Sequence, residues 1–268
     1  MSQLMMAASD GFVVAKRNLI KIKRVPELLL WILLSPIMFV LLFAYVFGGA
    51  IDGPGGISYR EFLIAGIFAQ TVVFGATYTG AGLAEDMQKG IIDRFRSLPM
   101  SRSAVLFGRT ASDIVYNLLS IAIMALTGLL VGWRIRGSIM DAVAGFALLL
   151  LFSYAFSWVM ASVGLVVPSP EVINNASFMV IMPLTFISNA FVPSESLPGP
   201  LKAFAEWNPV SAVTQSARNL FGNTNALAPA PEAWSMQNPV LYTLIWIAVI
   251  LAIFVPLSVR LYKNAATK

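Results

Sequence analysis

Glu85-Asp86-Met87-Gln88-Lys89-Gly90-Ile91-Ile92-Asp93-Arg94-Phe95-Arg96-Ser97-Leu98-Pro99 interrupts an otherwise apolar chain. Hydrocarbon cannot solvate carboxylate, amide and guanidinium groups, so this block sits in water while the stretches on either side of it cross lipid. A helix leaves a membrane, a short aqueous passage follows, and a second helix enters again.

The composition agrees. The chain is 58% hydrophobic and 12% charged, where a soluble domain carries about 25% charged residues. That balance marks an integral membrane protein. A length of 268 residues gives room for several spans and short loops within one domain, residues 1–268. Cysteine and histidine are both absent from the sequence. This excludes disulfides, thiolate metal sites, cysteine nucleophiles and histidine bases from the chain. No G-x-x-x-x-G-K-S/T stretch occurs, so the chain does not bind ATP through a P-loop.

Six apolar segments read as transmembrane helices of an all-α integral membrane protein: 28–47, 62–84, 110–132, 142–167, 172–192 and 240–261. Each has about 20 residues, which at about 1.5 Å per residue spans a hydrocarbon core of about 30 Å. Lys and Arg gather on the cytoplasmic side of such proteins. The arm before the first segment carries Lys16, Arg17, Lys21, Lys23 and Arg24. The loop after the second carries Lys89, Arg94, Arg96, Arg102 and Arg109, and the C-terminal end Arg260, Lys263 and Lys268. The other side holds Arg60, Arg134, Arg136, Lys202 and Arg218. Both termini and the charged block are therefore expected in the cytoplasm, in agreement with an even number of spans.

Residues 10–24 read as an amphipathic helix lying on the membrane. Phe12, Val13, Leu19, Ile20 and Ile22 offer apolar area, and the basic side chains meet anionic headgroups. Pro26 ends it. The simpler alternative is a basic tail that only sets topology. A long apolar segment after an extended basic arm is not the pattern of a cleaved signal peptide.

The block at 85–99 reads as one short helix. Glu85 and Asp86 suit its N-terminus, and Arg94 and Arg96 its C-terminus. Ile91, Ile92 and Phe95 form an apolar edge. Gly90 lets another backbone come close, and Leu98-Pro99 stops the helix before Ser101 or Ser103 caps the next. Such a helix fits a groove on a partner protein. A solvated loop that only sets topology is the competing reading, and the residues alone leave the two open.

Polar side chains inside spans require partners. Gln70 lies in the second segment with Thr71, Thr77, Tyr78 and Thr79. Asn174, Asn175 and Asn189 lie in the fifth with Ser177, Thr185 and Ser188. With Ser35, whose neighbour Pro36 marks a kink, and with Phe39, Phe74 and Phe178, the amides are candidates to line a path for an amphiphilic cargo. Interhelical hydrogen bonding within one subunit is the alternative. Asp113 lies four residues after Arg109 and is expected to pair with it. Gly128-Leu129-Leu130-Val131-Gly132 is a G-x-x-x-G stretch that permits close packing within or between subunits. The outer segment, residues 193–238, is far longer than a simple turn. It holds helical spacing over 194–207 and 212–221, with Pro209 between, and Trp207 and Trp234 suit a membrane interface.

Glu85-Asp86-Met87-Gln88-Lys89-Gly90, then Arg94, Leu98-Pro99-Met100-Ser101 and Gly108-Arg109, resembles the signature loop of ABC-2 type export permeases, above all the daunorubicin-resistance type. Ser188-Asn189-Ala190-Phe191-Val192-Pro193, Leu197-Pro198, Asn208-Pro209-Val210 and Arg218 resemble the segment between spans five and six of the same family. The resemblance covers nearly the whole chain.

The resemblance implies a half-transporter. Two six-span subunits, alike or homologous, pair in the membrane, and each engages one copy of a separate ABC ATPase. ATP and magnesium bind in that ATPase, and this chain carries no cofactor, metal or catalytic residue of its own. Glu85, Asp86, Met87, Gln88, Lys89, Gly90, Ile91, Asp93 and Arg94 would form the coupling helix, docked in the ATPase. The arm would be the family's surface connecting helix. The outer segment would re-enter the outer leaflet as helices that close the path. Pro168-Ser169-Pro170-Glu171 would approach the ATPase as well. The activity implied is export of a hydrophobic or amphiphilic compound (drug, lipid or glycolipid) across a cell membrane, as in the bacterial inner membrane. Partners are the ATPase, a second permease and membrane lipids, with no nucleic acid. Two other classes compete. A proton-coupled secondary transporter needs intramembrane ionisable residues, and Asp113 is the one acid well placed. A membrane-embedded enzyme needs clustered catalytic groups, where this chain has scattered carboxylates.

Overall fold

The computed structural model describes residues 10–18, 20, 26–47, 57–96, 104–224 and 231–264. Among them every regular element is helical. Helix α1 covers residues 10–18, α2 runs Pro26–Leu42 and tightens into a π turn at Phe43–Phe47, and α3 is Tyr59–Gly75. Then come α4, Thr77–Gln88, α5, Ile91–Arg96, α6, Ala104–Leu130, and α7, Ile139–Gly164. Helix α8 is Pro170–Phe186, α9 Gly199–Trp207, α10 Pro209–Phe221, α11 Trp234–Gln237 and α12 Pro239–Asn264. Among the described residues four stretches are long and apolar enough to cross a membrane: Tyr59–Gln88, Ala104–Leu130, Ile139–Gly164 and Pro239–Asn264. A shorter apolar helical run covers Leu34–Val46, and Pro36 lies inside α2 without ending it.

The stretch Tyr59–Gln88 is the middle of the bundle, 72% buried over its most apolar window against 17% for α12. It can occupy the middle because its glycines admit neighbours. A side chain at Gly66 would collide with the Ala190 backbone, one at Gly75 with the Asn117 amide, and one at Gly80 with Met160. Gly164 of α7 is closed off in turn by the Gly80 backbone. Around this axis the main core joins Leu63, Phe68, Val72, Leu149, Phe152 and Phe221. Phe68, Phe146, Trp133 and Phe221 meet ring to ring at centroid distances of 4.9–5.9 Å. A second cluster gathers one end of the bundle, where Leu83, Ile92, Leu106, Trp158, Leu165 and Tyr262 meet.

Helix ends follow the sequence locally. Ser138 caps α7 by accepting from the Asp141 N–H at 3.1 Å, and Ser169 caps α8 ahead of Pro170. Asn208 serves two helices. Its side-chain oxygen accepts from Val210 N–H at 2.8 Å to cap α10, and its amide nitrogen donates to Leu184 O at 2.7 Å and Ile187 O at 2.9 Å. Those carbonyls are the free acceptors at the end of α8. The expected segment 172–192 therefore stops early: α8 ends at Phe186, Pro183 lies in its last turn, and the chain turns instead of continuing. Asn189 belongs to that turn.

The outer segment forms a 3-10 turn at Ser194–Ser196, then α9 and α10. Helix α10 inserts between α3, α7 and α12 and buries Val210, Val213, Ala217 and Phe221. Gly222 closes it in the left-handed conformation, φ 71°. Beyond α10, Asn223, Ser235 and Met236 are buried rather than part of an exposed loop; residues 225–230 lie outside the described residues. The G-x-x-x-G stretch packs within this chain. Gly128 faces Ile64 and Trp133, whereas Gly132 has φ 102° and open space, and ends the helix in a turn.

Gly164→Ala tests the glycine packing. It should lower stability by about 1–3 kcal/mol, read as an earlier thermal transition in detergent. Gly199→Ala, with open space around it, should stay within about 0.5 kcal/mol.

Candidate functional site

A cavity of about 320 Å³ opens beside the central stretch. Helix α2 contributes Ser35, Pro36 and Phe39 to its wall, and α3 contributes Ile67, Gln70, Thr71 and Phe74. Thr77 and Tyr78 come from α4, Ser120 from α6, and Asn174, Ser177, Phe178 and Met182 from α8. Six expected path residues meet here: Ser35, Phe39, Gln70, Phe74, Asn174 and Phe178. Two do not. Asn175 is exposed on another face of α8, because adjacent helical residues point about 100° apart. Asn189 is 4% exposed and is spent on α10: its N–H donates to Ser211 Oγ and its amide to Gln215 Oε1. Ser120 went unnoticed in the sequence. Its signal was the spacing Asp113, Asn117, Ser120, one polar face on a single helix.

That face runs down α6 from the cavity. Asn117 donates to Asp113 O at 2.9 Å. Asp113, 1% exposed, accepts from the Thr79 hydroxyl of α4. Arg109 Nε stands 4.0 Å from Asp113 Oδ1, and another guanidinium nitrogen donates to Tyr78 O at 2.7 Å. The expected Arg109–Asp113 pair is thus present but loose, and it spans α4 as well. Gly82 is bare where the Arg109 guanidinium lies against it. Ser112, one residue before Asp113, accepts from the Asn18 amide of α1 at 3.2 Å.

The charged block is two helices, not one. α4 carries Glu85 and Asp86 in its last turn, Gly90 then takes φ 63°, and α5 begins at Ile91. Gly90 takes the left-handed conformation that ends α4, and no atom of the described residues comes near its missing side chain. Carboxylates at a helix C-terminus oppose its dipole, so they need cations. Lys89 Nζ donates to Glu85 at 2.6 Å, and this holds the Lys89 ammonium above its ordinary pKa. Arg17 of α1 donates to Asp86 at 2.7 Å and lies 5.0 Å from the Phe95 ring centre of α5. Gln88, Lys89 and Arg94 are exposed, while Asp86 and Ile92 are buried. Ser97, Leu98-Pro99, Ser101 and Ser103 lie outside the described residues, as do Leu19 and residues 21–25 of the arm. Within α1, Gly11, Val14 and Asn18 face the bundle, while Phe12, Val13 and Lys16 are exposed.

At the opposite end, Arg218 is 1% exposed. It donates to Phe62 O at 3.0 Å, Asn189 O at 2.8 Å and Ala190 O at 3.1 Å, over the Phe62 ring. The charge count places it on the outer side, and it is buried there. Its apolar neighbours Ala217 and Leu220 were the available signal. Arg136 pairs with Glu61 at 2.7 Å, which answers the excess positive charge of its loop.

Residues 11–221 match the ABC-2 type transporter family. The chain belongs to that family. It is 35% identical over 248 residues to the daunorubicin resistance ABC transporter permease protein DrrB1 of Streptomyces coeruleorubidus, covering 92% of this chain and 84% of that protein. It is 25% identical to the putative transport permease ycf38 of Cyanophora paradoxa, covering 81% and 75% of the two chains. It is 23% identical to the probable doxorubicin resistance ABC transporter permease protein DrrC of Mycobacterium tuberculosis, covering 73% and 67%. The chain is accordingly a multi-pass membrane permease subunit, and family membership implies an ABC ATPase as its partner. The matched residues include α1, the cavity, the polar face of α6 and both halves of the charged block.

Arg109→Met should destabilise by about 3–5 kcal/mol, since it strips a buried carboxylate of its counter-charge. The double change Arg109→Met with Asp113→Leu should recover most of that loss in a thermal unfolding cycle.

Proposed function

We propose that this ABC-2 permease is the membrane half of an ATP-driven exporter that moves an amphiphilic compound through the cavity between α2, α3, α4 and α8. The cavity carries the reading: it sits against the buried middle of the bundle and joins aromatic rings to uncharged polar groups. Relatives named for daunorubicin and doxorubicin resistance support a cargo of drug size, and lipid or glycolipid cargo fits the same lining.

The reading uses six spans, α2 and α8 completing the four long apolar stretches within one domain, residues 1–268. Both termini lie in the cytoplasm with the charged block. Trp207, Trp234 and Trp246 gather around Tyr242 at centroid distances of 5.8–6.2 Å, as interface aromatics do, and mark the outer side. There α9 and α10 dip into the leaflet and close the path. Two permeases, alike or homologous, pair in a cell membrane such as the bacterial inner membrane, and two ATPase copies bind ATP and magnesium. The coupling element is the bend at Gly90 with α5. Gln88, Lys89 and Arg94 face the ATPase, and Asp86 ties the bend to α1. Ser169 and Glu171 stand at the same side; the Glu171 carboxyl lies below its ordinary range, held chiefly by its own backbone N–H and then by the Ser169 hydroxyl. Alternating access follows when ATP binding draws the two ATPases together.

Inside-out vesicles containing the chain and its ATPase should accumulate cargo with ATP. They should not do so with a non-hydrolysable analogue or with a proton gradient alone. Uptake driven by the gradient without the ATPase would overturn the reading in favour of a secondary transporter. Gln88→Ala with Lys89→Glu should weaken ATPase capture by roughly 5–30-fold, with only a small fall in the thermal transition from losing the exposed Lys89–Glu85 pair. Unchanged capture and export would remove the bend from the coupling contact.

A further inference from the structure

Short outer loops of membrane proteins seldom carry Lys or Arg. The turn between α6 and α7 departs from that rule with Arg134 and Arg136, and Arg60 of α3 reaches the same turn. Arg136 is answered by Glu61, and Asp141, the next acid along the chain, accepts from the Ser138 hydroxyl. Among the described residues no carboxylate pairs with Arg60 or Arg134. Each guanidinium is held at one edge. Arg60 Nε donates to Ala44 O at 3.2 Å and its Nη1 to Val131 O at 3.4 Å. Arg134 Nη1 donates to Leu129 O at 2.6 Å and Trp133 O at 2.8 Å. Leu129 and Val131 stand at the end of α6, where free carbonyls attract cations. Capping occupies those edges alone: Arg60 Nη2 and Arg134 Nε and Nη2 make no hydrogen bond among the described residues. Below the two cations the surface is apolar. Helices α2 and α6 pack together, and at their ends Tyr45, Val46, Leu126 and Leu130 are exposed. Tyr45 belongs to the π turn that closes α2, and its ring lies 5.1 Å from the Arg60 guanidinium; such turns often mark functional sites.

We propose that Arg60 and Arg134 form a binding site for one anionic phospholipid, its phosphate shared between the two guanidiniums and its acyl chains lying on the apolar ends of α2 and α6. A guanidinium edge matches two phosphate oxygens, and each free edge here is turned away from the carbonyls that fix it. A zwitterionic headgroup brings its own cation, which two arginines repel. A free phosphate lacks the chains that the exposed leucines and Tyr45 would cover. The assignment rests on the membrane orientation given above, and is independent of what is exported.

The full chain in phosphatidylcholine nanodiscs tests this with a phosphatidylglycerol probe that carries a diazirine high on one acyl chain. After illumination the label should map to residues 43–47 and 126–134. Unlabelled phosphatidylglycerol should displace it, whereas added phosphatidylcholine and soluble glycerol phosphate should not. Arg60→Gln and Arg134→Gln should each cut labelling there by about 5-fold at sub-saturating probe. Arg134→Lys, which keeps the charge, should recover most of the labelling. Lys16→Gln, on exposed α1, should leave labelling of these residues unchanged, and thermal unfolding in phosphatidylcholine confirms that each variant folds. Displacement by phosphatidylcholine as effective as by phosphatidylglycerol overturns the proposal. So does displacement by glycerol phosphate, which would make this a site for free phosphate, or labelling that neither glutamine substitution alters. Export assays keep the two readings apart. ATP-driven export without labelling at this site sinks only the lipid assignment, and charge-dependent labelling without ATP-driven export sinks only the exporter.

Discussion

Helices in lipid gain nothing from hiding apolar surface from one another, so close contact and internal hydrogen bonds must hold them together. The stretch Tyr59–Gln88 meets that constraint with glycine. Gly66, Gly75, Gly80 and Gly82 each stand where a neighbour's backbone or polar side chain needs the room of a side chain. Everything else is arranged around the resulting contacts. Helix α7 lies against α4 at Gly164, the turn after α8 lies against α3 at Ala190, and the polar atoms of α6 reach across at Asn117 and Arg109. The cavity is the region on the same axis that these contacts leave unfilled.

Polar atoms inside the bundle divide into two populations. One is spent. Arg218 fastens α10 to α3 and to the turn after α8, Asn208 finishes one helix while starting another, and Asp113 with Thr79 and Arg109 joins α6 to α4. Most of their polar atoms find partners within the protein, as an apolar surrounding demands, while Arg109 Nε, Asp113 Oδ1 and Arg218 Nη1 make no hydrogen bond. The other population is unpartnered and scattered through the bundle, and among the described residues it includes the hydroxyls of Thr77, Ser157, Ser177 and Thr214 and the indole nitrogens of Trp158 and Trp246.

Much of this was legible in the residues. Long uncharged runs gave the helices, because apolar periodicity and length survive any detail of packing. Gln70, Phe74, Asn174 and Phe178 could be picked as path residues because a polar or aromatic group amid aliphatic ones stands out. Facing was harder. Asn174 and Asn175 are equivalent in sequence, and only the rotation of α8 in its packing separates them. Glu85 and Asp86 carry the charge that favours a helix start, yet they end one, since Lys89 compensates Glu85 and Arg17, from a helix remote in sequence, compensates Asp86. Local propensity loses to that tertiary pair. Arg218 looked like surface charge because the carbonyls that receive it come from α3 and from a turn about 30 residues back, and no local pattern contains them.

Arg17 has one further consequence. A single guanidinium serves the carboxylate of α4 and the ring of α5 at once, while its own helix is fastened to α6 through Asn18. The bend at Gly90 is therefore not a free hinge. Rotating α5 would part the Phe95 ring from Arg17 and also withdraw Ile92 from the cluster it shares with Leu83 and Leu106, so the joint is held by charge and by packing together. Part of the joint's stiffness is thus set by a residue that lies outside the joint altogether.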